Sequence, residues 1–245
     1  MSMKRYLFLL VLVSAFARPI WADPQKPVHL TDVEQLLAHM DLSNTSWNSN
    51  YGHEHEMGIV VWDPLEPACH TDCSGLVSNL LMHSYGYTPE AFQRWFGDKW
   101  PRANRYFEAI QSGNGFLSLP HVWNLQPGDF IAIKYIGQKS TGHIMVVEKK
   151  PWQVKGGPPF INGTIQWLVT VIDCTDGVHG KWDTRYKRGP SGKDHDGLGQ
   201  GVFRLYCDKS GRVVGYCWSP GNLSVFKGPD VAPVALGRLI PDFQP

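Results

Sequence analysis

The chain has 245 residues, with 23 Lys+Arg against 22 Asp+Glu and a formal charge of +1. Its one concentrated basic run is Lys181–Arg188, which argues against nucleic acid as the main partner, because phosphate binding needs an extended cationic surface. Ten Trp among 25 Gly and 18 Pro point to a loop-rich fold with aromatic surface of the kind that grips glycans or peptides.

The N-terminus reads as an export signal. Met1–Arg5 carries Lys4 and Arg5, and Tyr6–Ala17 is an apolar run too short for a membrane span, followed directly by Arg18 and Pro19. Cleavage is expected after Ala22, giving a signal peptide over 1–22 and one domain over 23–245 in the periplasm or secreted, with no membrane attachment after the cut. An uncleaved anchor is the alternative. No Cys follows the apolar run, which argues against a lipoprotein. The remaining part, about 220 residues, is long enough for a substantial core.

Thr31-Asp-Val-Glu34 has the spacing of a capping box opening a short helix. Residues 43–57 are polar and read as loop, and Ile59–Trp62 as a short strand before Pro64 and Pro67. From Cys73 to Tyr85 the spacing of Leu76, Val77, Leu80 and Leu81 predicts a helix with one buried face, ended by Gly86. Thr88-Pro89 launches a helix to about Phe96, and a third is expected from Pro101 to about Gln111, so that a helical insertion covers about 87–112. Phe130–Tyr135, His143–Lys149, Trp167–Asp173, Val202–Cys207 and Val213–Trp218 are β-branched or aromatic runs between turn residues, the pattern of an antiparallel sheet. Helices first and strands afterwards is an α+β order. The proline-rich tail, 219–245, is expected to wrap the surface.

Five cysteines (Cys69, Cys73, Cys174, Cys207 and Cys217) are an odd number, so at least one thiol is free or paired outside the chain. Cys207 and Cys217 flank the turn Asp208–Arg212; a bridge across it and a fully reduced set are both open.

Chemistry concentrates at Asp72-Cys73-Ser74-Gly75, at the head of the apolar helix. A helix N-terminus favours a thiolate through its unpaired N–H groups and the positive end of its dipole. Small Ser74 and Gly75 let a carbonyl approach the backbone amides that would hold an oxyanion. Leu125-Gln-Pro-Gly-Asp129 turns the chain into one strand, and Gly142-His143 opens the next, where an imidazole on a rigid element can act as base. The strand Val169–Asp173 ends on a carboxylate that would lie beside His143 and orient it, with Asp176 as competitor.

Taken together, DCSGLV on a helix, LQPGDFIAI, GHIMVVE and a strand ending VID resemble the NlpC-type papain-like cysteine peptidases of bacterial cell walls, over about residues 72–173. The resemblance implies an α+β, papain-like fold with N-terminal helices packed on a C-terminal antiparallel sheet. It implies Cys73 as nucleophile, His143 as base and Asp173 as orienting residue, with the backbone N–H of Cys73 as an oxyanion donor. Amide bonds in the peptide stem of peptidoglycan would be the substrate, with no cofactor and no metal. Asp72, Ser74 and Trp62 are expected around the substrate; the cations and aromatics of Lys181–Arg188, Arg185 among them, read either as a hold on its carboxylates or as a solvated loop. The sequence departs from the family in lacking a Gly-Gly pair before the Cys and in having Asp where His, Asn or Gln is usual.

Two other readings keep or discard the dyad: the same thiol acting on a protein or small acyl substrate, and a catalytically silent wall- or glycan-binding protein. A monomer is expected, and an inhibitory partner protein is left open. His53 and His55 with Glu54 and Glu56 read as a solvated loop rather than a metal clip, His70 as a remote second base, and Gly197-Leu-Gly-Gln-Gly201 as no phosphate loop, since no strand precedes it and no helix follows.

Overall fold

The computed structural model describes residues 26–40, 48–53, 58–188 and 190–245. The signal sequence expected over 1–22 lies outside the described residues, as do Glu54, His55 and Glu56. The fold is mixed α+β, with four α-helices among the described residues and a large antiparallel sheet. The helices are α1 (Val28–His39), α2 (Cys73–Tyr85), α3 (Pro89–Phe96) and α4 (Ala103–Ser112). None of them is long and apolar enough to cross a membrane.

A small sheet of order β1-β3-β2 is built from β1 (Ser49–Tyr51), β2 (Ile59–Val61) and β3 (Ala68–Thr71). The nine-stranded sheet comprises β4 (Phe116–Ser118), β5 (Phe130–Lys134), β6 (Gly142–Val147), β7 (Trp152–Gln153), β8 (Ile165–Thr175), β9 (Gly197–Cys207), β10 (Val213–Cys217), β11 (Phe226–Lys227) and β12 (Val234–Leu239). Its order is β11-β10-β9-β8-β6-β5-β12-β4, with β7 on β8. The period-two alternation of the strands separates two cores. Phe130, Ala132, Ile144, Val146, Ile172 and Ala235 pack under the helices with Leu76, Leu80, Phe92 and Tyr106. Ile131, Ile133, Met145, Val147, Val169, Val171, Phe203 and Leu205 fill the opposite face.

Several sequence expectations change. The capping box is absent, because α1 begins a turn earlier: Leu30 N and Thr31 N already donate to Pro27 O, and Glu34 pairs with Lys26. The early start buries His29, whose Nε2 lies 2.7 Å from Gly128 O in the Pro-Gly-Asp turn. Residues 49–51 are a strand rather than loop, and β3 follows Pro67; both are held by tertiary contacts that propensity does not report. The tail is no surface wrap, since β12 is inserted between β5 and β4, with Pro233 and Pro241 just outside its ends. No bridge joins Cys207 to Cys217; all five thiols are free and buried. The register explains this, because Cys207 faces Val213 while Cys217 faces Arg204.

β12 also secures the turn that leads into β5. Arg238 Nε and Nη2 donate to Asp129 Oδ1 and Oδ2 at 2.8 and 2.9 Å, and Asp129 Oδ2 accepts from Gln126 N at 2.7 Å. Asp129 is buried, so removing its partner strands a carboxylate. Arg238→Ala is expected to lower unfolding free energy by roughly 1–3 kcal/mol in urea titration, less than for a fully buried pair because the guanidinium is partly exposed.

Candidate active site

The site forms where the small sheet, the start of α2 and the ends of β6 and β8 meet. β6 and β8 pair only at Val146↔Ile172 and Val147↔Val171, so their ladder stops short of His143. At this end the small sheet closes on β8 and β9: Ser49 Oγ accepts from Leu198 N at 2.9 Å, and the Cys174 thiol donates to Thr71 O at 3.0 Å. α2 starts beside this junction.

Asp72 is the N-cap of α2. Its Oδ1 accepts from Gly75 N at 2.7 Å and Ser74 Oγ at 2.9 Å, and its Oδ2 meets His53 Nδ1 at 2.8 Å. Leu76 N donates to Asp72 O, so the first-turn amides of Cys73 and Ser74 lie ahead of the helical ladder. Both residues border a cavity of about 780 Å3, which Tyr51, His53, Trp100, Arg102, Lys139 and Thr141 also line. Cys73 is 3 % exposed, enough to touch the cavity and otherwise dry.

His143 is positioned by Gly142. A Cβ at Gly142 would lie 1.9 Å from Ile133 O, and its φ of +151° is one that side chains rarely adopt, so only glycine lets β6 start this close to β5. His143 then falls on the same sheet face as Met145, and Asp173 on the same face as Val171. Its Nε2 donates to Asp173 Oδ2 at 2.6 Å. The Cys73 sulfur also acts on this ring, and Nδ1 is the nitrogen left to it because Nε2 is occupied. Burial alone would lower the pKa of His143, but the Cys73 sulfur and the Asp173 carboxylate raise it to about 9.

Asp173 does more than orient one imidazole. Its Oδ2 also meets His179 Nε2 at 3.0 Å, and its Oδ1 accepts from Arg185 Nη2 at 2.9 Å. Arg185 donates further to Asp183, from Nε at 2.8 Å and Nη2 at 2.7 Å, and from Nη1 to Gly197 O at 2.8 Å. Asp173, His179 and Arg185 are 0 % exposed. Burial works against the charge on Asp173, but Arg185, His179 and His143 hold its carboxyl well below the usual carboxylate range. Arg185 is likewise held more firmly protonated, burial notwithstanding, by Asp173 and Asp183. Trp218 caps the group, stacking on His179 at 4.4 Å and meeting His143 edge-on at 4.9 Å.

The arrangement therefore unites Cys73, His143 and Asp173, with Asp72 and Ser74 at the rim of the cavity. Two expected substrate residues are elsewhere. Arg185 is sealed among carboxylates, with no surface to offer a ligand. Trp62 is stacked on His83 at 4.3 Å and does not border the cavity. Asp176, the competitor for the third role, is exposed and acts electrostatically on Tyr51 and Tyr135. His70 is tied to Asn50 Oδ1 at 2.6 Å. Among the described residues no group of His, Cys, Asp and Glu has the makings of a metal site.

Sequence reasoning missed Tyr51, His179, Asp183 and the cavity residues Trp100, Arg102 and Lys139. Tyr51 remains a neutral hydroxyl, because burial and then the Cys73, Asp72 and Asp176 charges push its ionisation up. A signal for the buried network did exist in Gly197-Leu-Gly-Gln-Gly201. On β9, Gly199 lies opposite Asp173, and a Cβ there would stand 2.4 Å from Arg185 Nε. A Cβ on Gly201 would stand 2.6 Å from the His179 ring and 2.7 Å from Asp183 Oδ2. Alternate glycines share one sheet face, so this stripe is the bed on which the network lies.

Fold and site together define an α+β protein with a buried Cys–His–Asp row opening on one cavity. The chain is 35 % identical over 230 residues to "Uncharacterized protein R653" of Acanthamoeba polyphaga mimivirus, an alignment covering 89 % of this chain and 98 % of the viral one, and it belongs to the same family. No family model matches the chain, and no solved structure matches it.

Removing Arg185 leaves two buried carboxylates facing each other. Arg185→Gln is expected to destabilise the protein by about 3–5 kcal/mol, as is usual when one partner of a buried pair is lost. Gly199→Ala, which pushes a methyl into the guanidinium, should lower the thermal midpoint in the same direction, whereas Gly228→Ala, where a methyl would make only ordinary contact with Phe226, should cost far less.

Proposed function

We propose that the protein is an exported cysteine amidase or endopeptidase with a papain-like fold of the NlpC type, cleaving amide bonds in the stem peptides of peptidoglycan. The observation that carries this reading is the row from the Cys73 sulfur through His143 to Asp173 Oδ2, with the sulfur at a helix start and at the wall of a cavity. The resemblance of the blocks around Cys73, Asp129 and His143 supports the substrate class. The basic and apolar N-terminus supports action outside the cytoplasm, in the periplasm or secreted.

In this reading the Cys73 sulfur, paired with protonated His143, attacks the carbonyl carbon, and the C=O electrons move onto oxygen. The first-turn amides of Cys73 and Ser74 receive that oxyanion. On collapse the C–N bond breaks and His143 gives its proton to the leaving amine. Neutral His143 then takes a proton from water as it attacks the thioester, releasing the acid and restoring the pair. Asp173 holds the ring through Nε2 so that Nδ1 faces the sulfur, and it stabilises the imidazolium. No cofactor is required by these steps.

Digestion of purified peptidoglycan followed by mass spectrometry tests the reading. Wild type should release stem-peptide fragments that Cys73→Ala does not, and identical fragment sets from the two would remove the peptidoglycan assignment. The pH dependence follows from His143: its pKa is raised, so the protonated ring is present at neutral pH and lost as pH climbs through about 9. Hydrolysis, which needs the His143 proton for the leaving amine, should therefore fall on the alkaline side near pH 9. Asp173→Asn removes a raising influence, so that limb should move to lower pH.

A further inference from the structure

The cavity is bordered by two cations from different parts of the chain. Arg102 is the residue before α4, and Lys139 sits in the turn between β5 and β6, on the segment that leads to Gly142. Both are exposed. Among the described residues neither is in an ion pair, unlike Lys134, Arg105 and Arg238, which find carboxylates. The acidic residue on the same wall, Asp72, has both oxygens engaged by Gly75, Ser74 and His53. α4 adds to the positive field, since Arg102 makes no side-chain cap and the helix begins at the cavity with Ala103. Trp100, half-buried beside Arg102, supplies an apolar wall.

We propose that Arg102 and Lys139 form a carboxylate-binding subsite that selects peptides carrying a free acidic group beside the bond presented to Cys73. The inference rests on the hydrolase reading above and takes over the role expected of Arg185. Two cations that pair with no carboxylate among the described residues, facing one cavity next to a nucleophile, favour an anionic segment over a neutral one, and the aromatic wall covers the aliphatic part of the acidic residue. A carboxylate between a guanidinium and an ammonium gains two charge-assisted hydrogen bonds that a carboxamide lacks. Exposed pairs of this kind contribute little singly, so the preference is a modest factor for each cation and is weakened by salt.

The test uses the intact chain with Cys73→Ala, which holds ligand without turning it over. A stem peptide carrying a neutral dye and a free acidic side chain is compared by fluorescence anisotropy with the same peptide bearing a carboxamide there. At low salt the carboxylate form should bind roughly three- to tenfold more tightly, the range two exposed ion pairs support. Adding Arg102→Gln or Lys139→Gln should reduce that ratio, and both together should bring it to about one. Equal affinity for the two peptides, no binding of either, or a preference that survives the double substitution would overturn the subsite. Alkylation of the Cys73-containing chain by uncharged iodoacetamide reads the dyad separately. Rapid labelling of Cys73 with no charge preference sinks the subsite and leaves the hydrolase reading standing. A Cys73 no more reactive than free cysteine sinks the hydrolase reading itself.

Discussion

The site depends on one carboxylate, that of Asp173, buried out of reach of solvent. Its two oxygens are divided: Oδ2 receives both imidazoles, and Oδ1 receives Arg185. A buried carboxylate is tolerable only when its charge is matched and its lone pairs are filled. Arg185 matches its charge and is shared with Asp183. His179 lies against the same carboxylate, with its ring nitrogens 3.0 Å from Asp173 Oδ2 and 2.7 Å from Trp218 O. Both imidazoles share Oδ2 while Arg185 holds Oδ1, so the ring that faces Cys73 and the ring behind it are tied to one oxygen atom.

That arrangement has a steric condition. A guanidinium and an imidazole lie flat against β9 only where the strand carries no side chains on that face. Gly199 and Gly201 meet this condition, and Gly197 does the same for Ser49 and Asn50 of β1. Glycine is a poor strand residue, and three in alternation weaken the local β preference. The eleven pairings that β8 makes with β9, running the length of both strands, offset the loss. What looks in sequence like a loop is thus a strand whose missing side chains make room for a polar network.

The legibility of the chain divides along the same line. The helix from Cys73 to Tyr85 and the strands at Phe130 and His143 rest on periodicity and caps, which are local, and the structure contains them, whereas β1, β2 and β3 between α1 and α2 break the expected order of helices before strands. Cys73 and His143 sit at the start of an element, where short motifs are informative, Asp173 sits two residues inside a strand that runs on to Thr175 rather than ending on the carboxylate, and the fold brings the three together. Arg185 was misjudged because a basic run gives no clue to burial: its neighbours Lys181 and Lys187 are exposed, and only the pairing of β8 with β9 draws it inside. β1, β3 and β12 were missed for a related reason. Each owes its extended form to a partner strand distant in sequence rather than to its own composition.

The two sides of His143 therefore have opposite physical characters, and the geometry keeps them apart. On one side Trp218 covers the imidazoles and the network behind them, where the dielectric is low and fixed charges act strongly. On the other, a cavity bordered by Trp100, Arg102 and Lys139 stays open to water, where single charges act weakly. Reactivity and selectivity are consequently assigned to different segments. The dry side is made by β8, β9 and the loop from His179 to Arg185, while the wet side is made by the α3–α4 connection and the β5–β6 turn. Changes to the wet side alter charges that nothing in the buried network depends on, so preference for a ligand can shift without disturbing the row that ends at Cys73. Changes on the dry side do not share that freedom, because every member of the network is also a structural support for the next.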